Sequence, residues 1–238
     1  WIAASSRLNM TMSSLKNSLK QRRQGDLQGL NHTEIADALH EKLCTRNHRS
    51  ISPRFDEDGF WEWGGANWTR IEDSTMHKIV SEEYGHLTAA RKYSDHKQVV
   101  GVLKDKVAMP IMGNHLGGVN FSNGYLTTDL DLMDHDPEYG ATYTLPYRYL
   151  AELTEDDCPK FMKFIHQCWG ADEDFEQKKQ ALREAIAVTI FGRATRYSRA
   201  FVLFGASGAG KSEMLNIISG LMPLNCSSSI PPTEWGDK

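Results

Sequence analysis

"FVLFGASGAGKSEMLNII", residues 201–218, decides how the chain is read. An apolar run leads into a glycine-rich turn, then Lys211 and Ser212, then a second apolar run. Gly205, Ala206, Ser207, Gly208, Ala209, Gly210, Lys211 and Ser212 fit the pattern G-x-x-x-x-G-K-[ST] at every fixed position. Upstream, "AFVLF" is a short continuous apolar run suited to a buried parallel strand. Downstream, the spacing predicts a helix with Met214, Leu215, Ile218 and Leu221 on one face. Strand, loop and helix together are the setting of a phosphate-binding loop. Glycines let successive backbone N–H groups converge on a triphosphate at a helix N-terminus, where the helix dipole adds to the attraction. Lys211 then reaches the β and γ phosphates, and the Ser212 hydroxyl joins the coordination of Mg2+. The expected ligand is a nucleoside triphosphate, with ATP and Mg2+ as cofactors.

Binding alone is not hydrolysis, which also needs an acidic residue at the end of a neighbouring strand. Glu213 follows Ser212 but lies on the predicted helix, and Glu234 and Asp237 follow Pro231-Pro232 with no apolar strand before them. None of the three is read as catalytic.

The rest of the chain is consistent with a globular protein. With 238 residues and 40% hydrophobic content it can bury a real core. A formal net charge of -4 gives no overall basic character, so any DNA contact must be local. Cys44, Cys158, Cys168 and Cys226 lack the paired spacing of a zinc site, and a reducing cytoplasmic compartment is expected. No apolar stretch approaches the roughly 18 residues needed to cross a bilayer, and no signal-peptide pattern is present. Both ends are expected to be boundaries of a fragment.

Outward from the loop, residues 3–23 space Leu8, Met12, Leu15 and Leu19 as a helix ending in "KQRRQG". "NHTEIADALHEKLC" puts Ile35, Leu39 and Leu43 on one stripe, with Asn31 and Glu34 as a capping pair. "GFWEWGGANWTRIE" (59–72) predicts a hairpin around Gly64-Gly65. Residues 75–108 return to helical spacing, "VNFSNGYL" and "ATYTLPYRYL" read as extended with Asn123-Gly124 as a turn, and two helices follow in "CPKFMKFIHQCWG" and "DFEQKKQALREAIAVTIFG".

Several other groups are weighed against plainer roles. Phe60, Trp61, Trp63 and Trp68 can stack bases, but with only Arg70 interleaved they read as hairpin core. Arg193, Arg196 and Arg199 precede the loop strand and read as a solvated turn rather than a DNA contact, as does "KQRR" at 20–23. His115 and His135 have no second ligand at metal spacing. Asp129, Asp131, Asp134 and Asp136 lack the glycine and terminal glutamate of a calcium loop and read as solvent-facing.

Taken in order, "IADAL" (35–39), "FWEWGGANWTRIED" (60–73), "VNFSNGYL" (119–126), "DHDPEYGATYTLPYRYL" (134–150), "CPKFMKFIHQCWG" (158–170) and "FGASGAGKSEMLNIISGLM" (204–222) resemble the superfamily 3 helicases at the C-terminal end of phage, plasmid and poxvirus primase-helicase proteins. The resemblance covers most of residues 30–238. Leu150-Ala151 stands where that family tends to carry an Asp-Pro pair.

The resemblance implies an α/β protein: an upstream linker or helix at 1–29, a mixed helical and strand helper domain at 30–170, and at 171–238 the start of an AAA+-like phosphate-loop ATPase domain, incomplete at its C-terminus. It implies an ATP-driven hexameric ring that translocates on single-stranded DNA and opens a replication fork in the host cytoplasm, often with a fused primase. Its metal-binding acid would lie past Lys238, and the fragment is expected to be inactive alone. Onto this chain the resemblance carries the loop residues only, with Lys211 in the catalytic role and Ser212 at the metal. Another phosphate-loop enzyme, such as a packaging ATPase or kinase, and a non-enzymatic assembly module are the alternatives.

Overall fold

Asn31 starts the first helix by the chemistry its sequence predicts. In a computed structural model describing residues 29–56, 59–109, 111, 117–193, 200–223, 226–228, 230, 231 and 233, helix α1 spans His32–Arg46. The Asn31 Oδ1 accepts from the Thr33 and Glu34 N–H groups at 2.9 and 3.0 Å, and Glu34 Oε2 accepts the Asn31 N–H at 2.8 Å. Three otherwise orphaned donors are thereby satisfied, those of Asn31 and Glu34 reciprocally.

Strands β1 (Arg54–Asp56), β2 (Gly59–Trp63) and β3 (Trp68–Ile71) form a sheet in that order, with β1 antiparallel to β2. The predicted turn is present, and Gly65 has φ 102°, a backbone that a side chain would strain. Helices α2 (Asp73–Tyr84) and α3 (Tyr93–Lys106) follow.

By their packing the described residues divide into two units: those up to Gly64 with those of Thr69–Ile111, and those of Gly65–Trp68 with those after Ile111. Residue 170 therefore lies inside the second unit. The first unit closes on one apolar cluster, in which Ile35, Leu39 and Leu43 of α1 meet Phe60 of β2, Met76 and Val80 of α2, and Val99 and Leu103 of α3. Ile35, Leu39 and Leu43 are the stripe that the helical spacing predicts to face inward.

In the second unit, β4 (Val119–Phe121), β5 (Gly124–Leu126) and β6 (Leu132–Met133) form an antiparallel sheet. The turn lies at Ser122-Asn123, one residue earlier than expected, because Gly124 already belongs to β5. The Asn123 side chain is occupied elsewhere: its Oδ1 accepts the Tyr149 N–H at 2.8 Å and its Nδ2 donates to the Tyr149 carbonyl at 3.0 Å.

Buried Asn120 organises the centre of this unit. Its amide nitrogen lies 2.8–3.0 Å from Ala66 O, Tyr143 O and Thr144 Oγ1, and its Oδ1 accepts from His135 Nδ1 at 2.9 Å. That contact uses a proton on His135 Nδ1 and gives the ring a structural role. Trp68 Nε1 donates to the Pro137 carbonyl at 2.9 Å.

Helices α4 (Pro159–Trp169), α5 (Phe175–Ile190) and α6 (Lys211–Gly220) share a separate small core around Ile165, Leu182 and Met214. The chain is thus mixed α and β, with six α-helices and two small sheets among the described residues.

Two expectations are corrected here. The apolar run before the loop is not a strand: 201–204 takes up no regular secondary structure, with Phe201 52%, Val202 82% and Phe204 99% exposed. A parallel strand is stable only when neighbours take up its backbone groups and cover its faces, and no described strand pairs with this segment. Nor do all four apolar residues of the last helix share one buried face. Met214 is buried and Ile218 packs beside it, but Leu215 is 55% exposed, because one residue turns a helix by about 100°.

Candidate nucleotide site

The loop at 205–212 owes its shape to two glycines in left-handed backbone. Gly208 has φ 79° and Gly210, the N-cap of α6, has φ 78°. A Cβ on Gly208 would meet open space, whereas one on Gly210 would stand 2.7 Å from Cys168 Sγ and 3.4 Å from the Phe164 ring. Gly210 is therefore needed twice, for its backbone angle and for the approach of α4 to the loop. The second reason is invisible in the motif.

Within the loop the Ala209 N–H turns inward to the Ala206 carbonyl at 3.3 Å. The first bond into α6 runs from the Met214 N–H to the Gly210 carbonyl at 2.9 Å. The N–H groups of Lys211, Ser212 and Glu213 precede it and have no intrahelical partner, and Gly210 offers no side-chain cap. Together with the helix dipole they favour an anion. Lys211 folds back across the loop and donates to the Gly205 and Ala206 carbonyls at 2.8 and 2.6 Å, which holds its ammonium beside the turn. Ser212 is exposed. A positive group, free N–H donors and a solvent-facing hydroxyl at one helix start suit a triphosphate with Mg2+, while no group of three or more His, Cys, Asp or Glu side chains able to hold a metal ion by themselves occurs among the described residues.

A cavity of about 220 Å3 opens beside the loop, lined by loop residues 205 and 209–211 and by Cys168, Trp169, Asp172 and Lys178 from α4, its following turn and the start of α5. Lys178 bridges Asp172 and Asp174 at 2.7 and 2.8 Å. The hydrogen bonds that its ammonium donates to both carboxylates, Asp172 first, raise it above the usual lysine range.

The other sequence candidates fall outside this site. Phe60, Trp63 and Trp68 are buried core, and Trp61 donates Nε1–H to Asp56 Oδ1 at 2.8 Å, so they form no open stacking platform. Arg193 donates to the Gly117 carbonyl at 3.1 Å. Arg196, Arg199, His115, Glu234, Asp237, the 20–23 run and the helix expected at 3–23 lie outside the described residues. Asp129, Asp131, Asp134 and Asp136 are exposed, and Asp136 Oδ1 accepts the Glu138 N–H at 2.8 Å. Sequence reasoning did not connect Cys168, Trp169, Asp172 or Lys178 with the loop. Their one signal was the strong amphipathicity of the segment ending at Trp169, which says that a face packs but not on what. No described helix is long and apolar enough to cross a membrane. No family model matches the chain, and no curated protein matches it.

Proposed function

We propose that the chain binds ATP with Mg2+ on residues 205–212 and serves as the nucleotide-binding part of a replicative DNA helicase of the primase-helicase type, acting as a cytoplasmic hexameric ring on single-stranded DNA. The observation that carries this reading is the G-x-x-x-x-G-K-S run built as a left-handed glycine turn at the start of α6, with the Lys211 ammonium held against it. Lys211 exchanges its two carbonyl partners for phosphate oxygens, a stronger charge-assisted contact. The N–H groups of Lys211 and Ser212 bind the anion, and the Ser212 hydroxyl is the chain's own ligand for the metal. Mg2+ bound with the nucleotide neutralises charge on the transferred phosphoryl group.

The test is ATP turnover with and without single-stranded DNA, in the full-length protein, beside its Lys211→Ala variant. DNA-stimulated turnover that the substitution abolishes is the expected result. Turnover indifferent to DNA would move the assignment to another phosphate-loop enzyme, and tight nucleotide binding without turnover to an assembly module.

A further inference from the structure

We infer that the cavity beside the loop is the nucleoside end of the ligand site, with Trp169 as the surface for the base and the Asp172 carboxylate as acceptor for the ribose hydroxyls. The inference rests on the nucleotide reading above and deepens it. Four observations on α4, the turn after it and the cavity lead to it.

First, the cavity is continuous with the loop, because Gly205, Ala209, Gly210 and Lys211 line both. A ligand whose phosphates lie on the loop has its remaining part beside it. Second, Ser212 is exposed and does not line the cavity, whereas Lys211 does, so the hydroxyl proposed for the metal stands outside it. Third, at about 220 Å3 the space is below the roughly 300 Å3 at which drug-sized pockets begin, a size for one fragment of a ligand rather than the whole. Fourth, its lining outside the loop includes the Trp169 indole and the Asp172 carboxylate, beside Cys168, Lys178 and apolar side chains, and an indole with a carboxylate suits a flat base joined to a hydroxylated sugar.

The electrostatics fit the sugar better than the phosphates or the metal. A bare carboxylate would repel a triphosphate, but Lys178 sits between Asp172 and Asp174 and offsets that charge. The same pairing weakens Asp172 as a cation ligand. A carboxylate holding one ammonium still has lone pairs for hydroxyl donors, so Asp172 can bind Lys178 and a sugar together. Trp169 is anchored in the small core around Ile165, which keeps its ring in place. Stacking accepts any base, so the site selects the sugar more sharply than the base.

The experiment measures binding of ATP, 2′,3′-dideoxy-ATP and inorganic tripolyphosphate by calorimetry, for the wild-type chain, Trp169→Leu and Asp172→Ala. Wild type is expected to bind the three in that descending order of affinity. Trp169→Leu should weaken both nucleotides about tenfold and leave tripolyphosphate unchanged. Asp172→Ala should remove the difference between ATP and its dideoxy analogue, about tenfold in wild type. That ratio is insensitive to the charge released on Lys178. A second readout needs no substitution: ATP should slow maleimide labelling of Cys168, followed by peptide mass, more than tripolyphosphate does. If wild type binds ATP and tripolyphosphate equally, or the variants leave all ratios unchanged, the nucleoside site is wrong while the phosphate loop stands. If wild type binds none of the three, the loop reading fails and this inference with it.

Discussion

Gly210 gives the sharpest test of how α4 holds the loop. Gly208 and Gly210 have the same left-handed backbone, at φ 79° and 78°, so replacing either with alanine carries the same conformational cost of about 1–2 kcal/mol. Their surroundings differ: the new methyl meets nothing at 208, but at 210 it stands 2.7 Å from Cys168 Sγ, closer than any packed carbon tolerates. Overpacking of that kind adds about 1–3 kcal/mol. Gly210→Ala should therefore destabilise by about 2–5 kcal/mol and Gly208→Ala by about 1–2. Urea unfolding followed by circular dichroism gives the totals, and amide exchange across 211–220 reports the local part. In a Cys168→Ala background the steric part should disappear, bringing the cost at 210 close to that at 208; the residual contact with Phe164 at 3.4 Å is small enough to relax. Equal costs at the two glycines in the wild-type background, or no rescue by Cys168→Ala, would refute the packing of α4 on the loop.

Asn120→Ala should cost about 2–4 kcal/mol in the second unit, since it strands the Ala66 and Tyr143 carbonyls and the His135 donor in a buried site; a loss within 0.5 kcal/mol, roughly a surface effect, would mean that water replaces the amide. Acidification should destabilise the first unit. Burial first, and then Lys106, holds His40 below the ordinary 6.5; for His77, burial and the nearby His96, Lys104 and Lys97 outweigh the opposing Asp73. Between those lowered values and 6.5 the unfolded chain binds more protons, so stability is full above about pH 6.5 and declines as pH falls through the window. Denaturant midpoints measured on either side of that pH, in wild type and in His77→Phe, should show a shallower decline in the variant; a wild-type chain more stable in acid would contradict the sign.

Local patterns decided much of this protein without help. The Asn31–Glu34 capping box, the inward stripes of α1 to α3, the Gly64-Gly65 turn and the boundaries of α4 and α5 depend on side chains within a few residues of one another, and the sequence states them directly. The glycine loop and its lysine are local in the same sense. What only the tertiary structure decided comes from partners far apart in the chain. Asn120 reaches back to Ala66 and forward to Tyr143, Trp68 bonds to Pro137, and Cys168 comes against Gly210. The apolar run before the loop shows the limit most plainly. Its composition says strand, but a strand exists only through the backbone partners beside it, and hydrophobicity cannot say whether they are there. The same reason hid the cavity: Trp169 and Asp172 border the loop because α4 and α6 bury Ile165 and Met214 together, a choice made by packing and not by spacing.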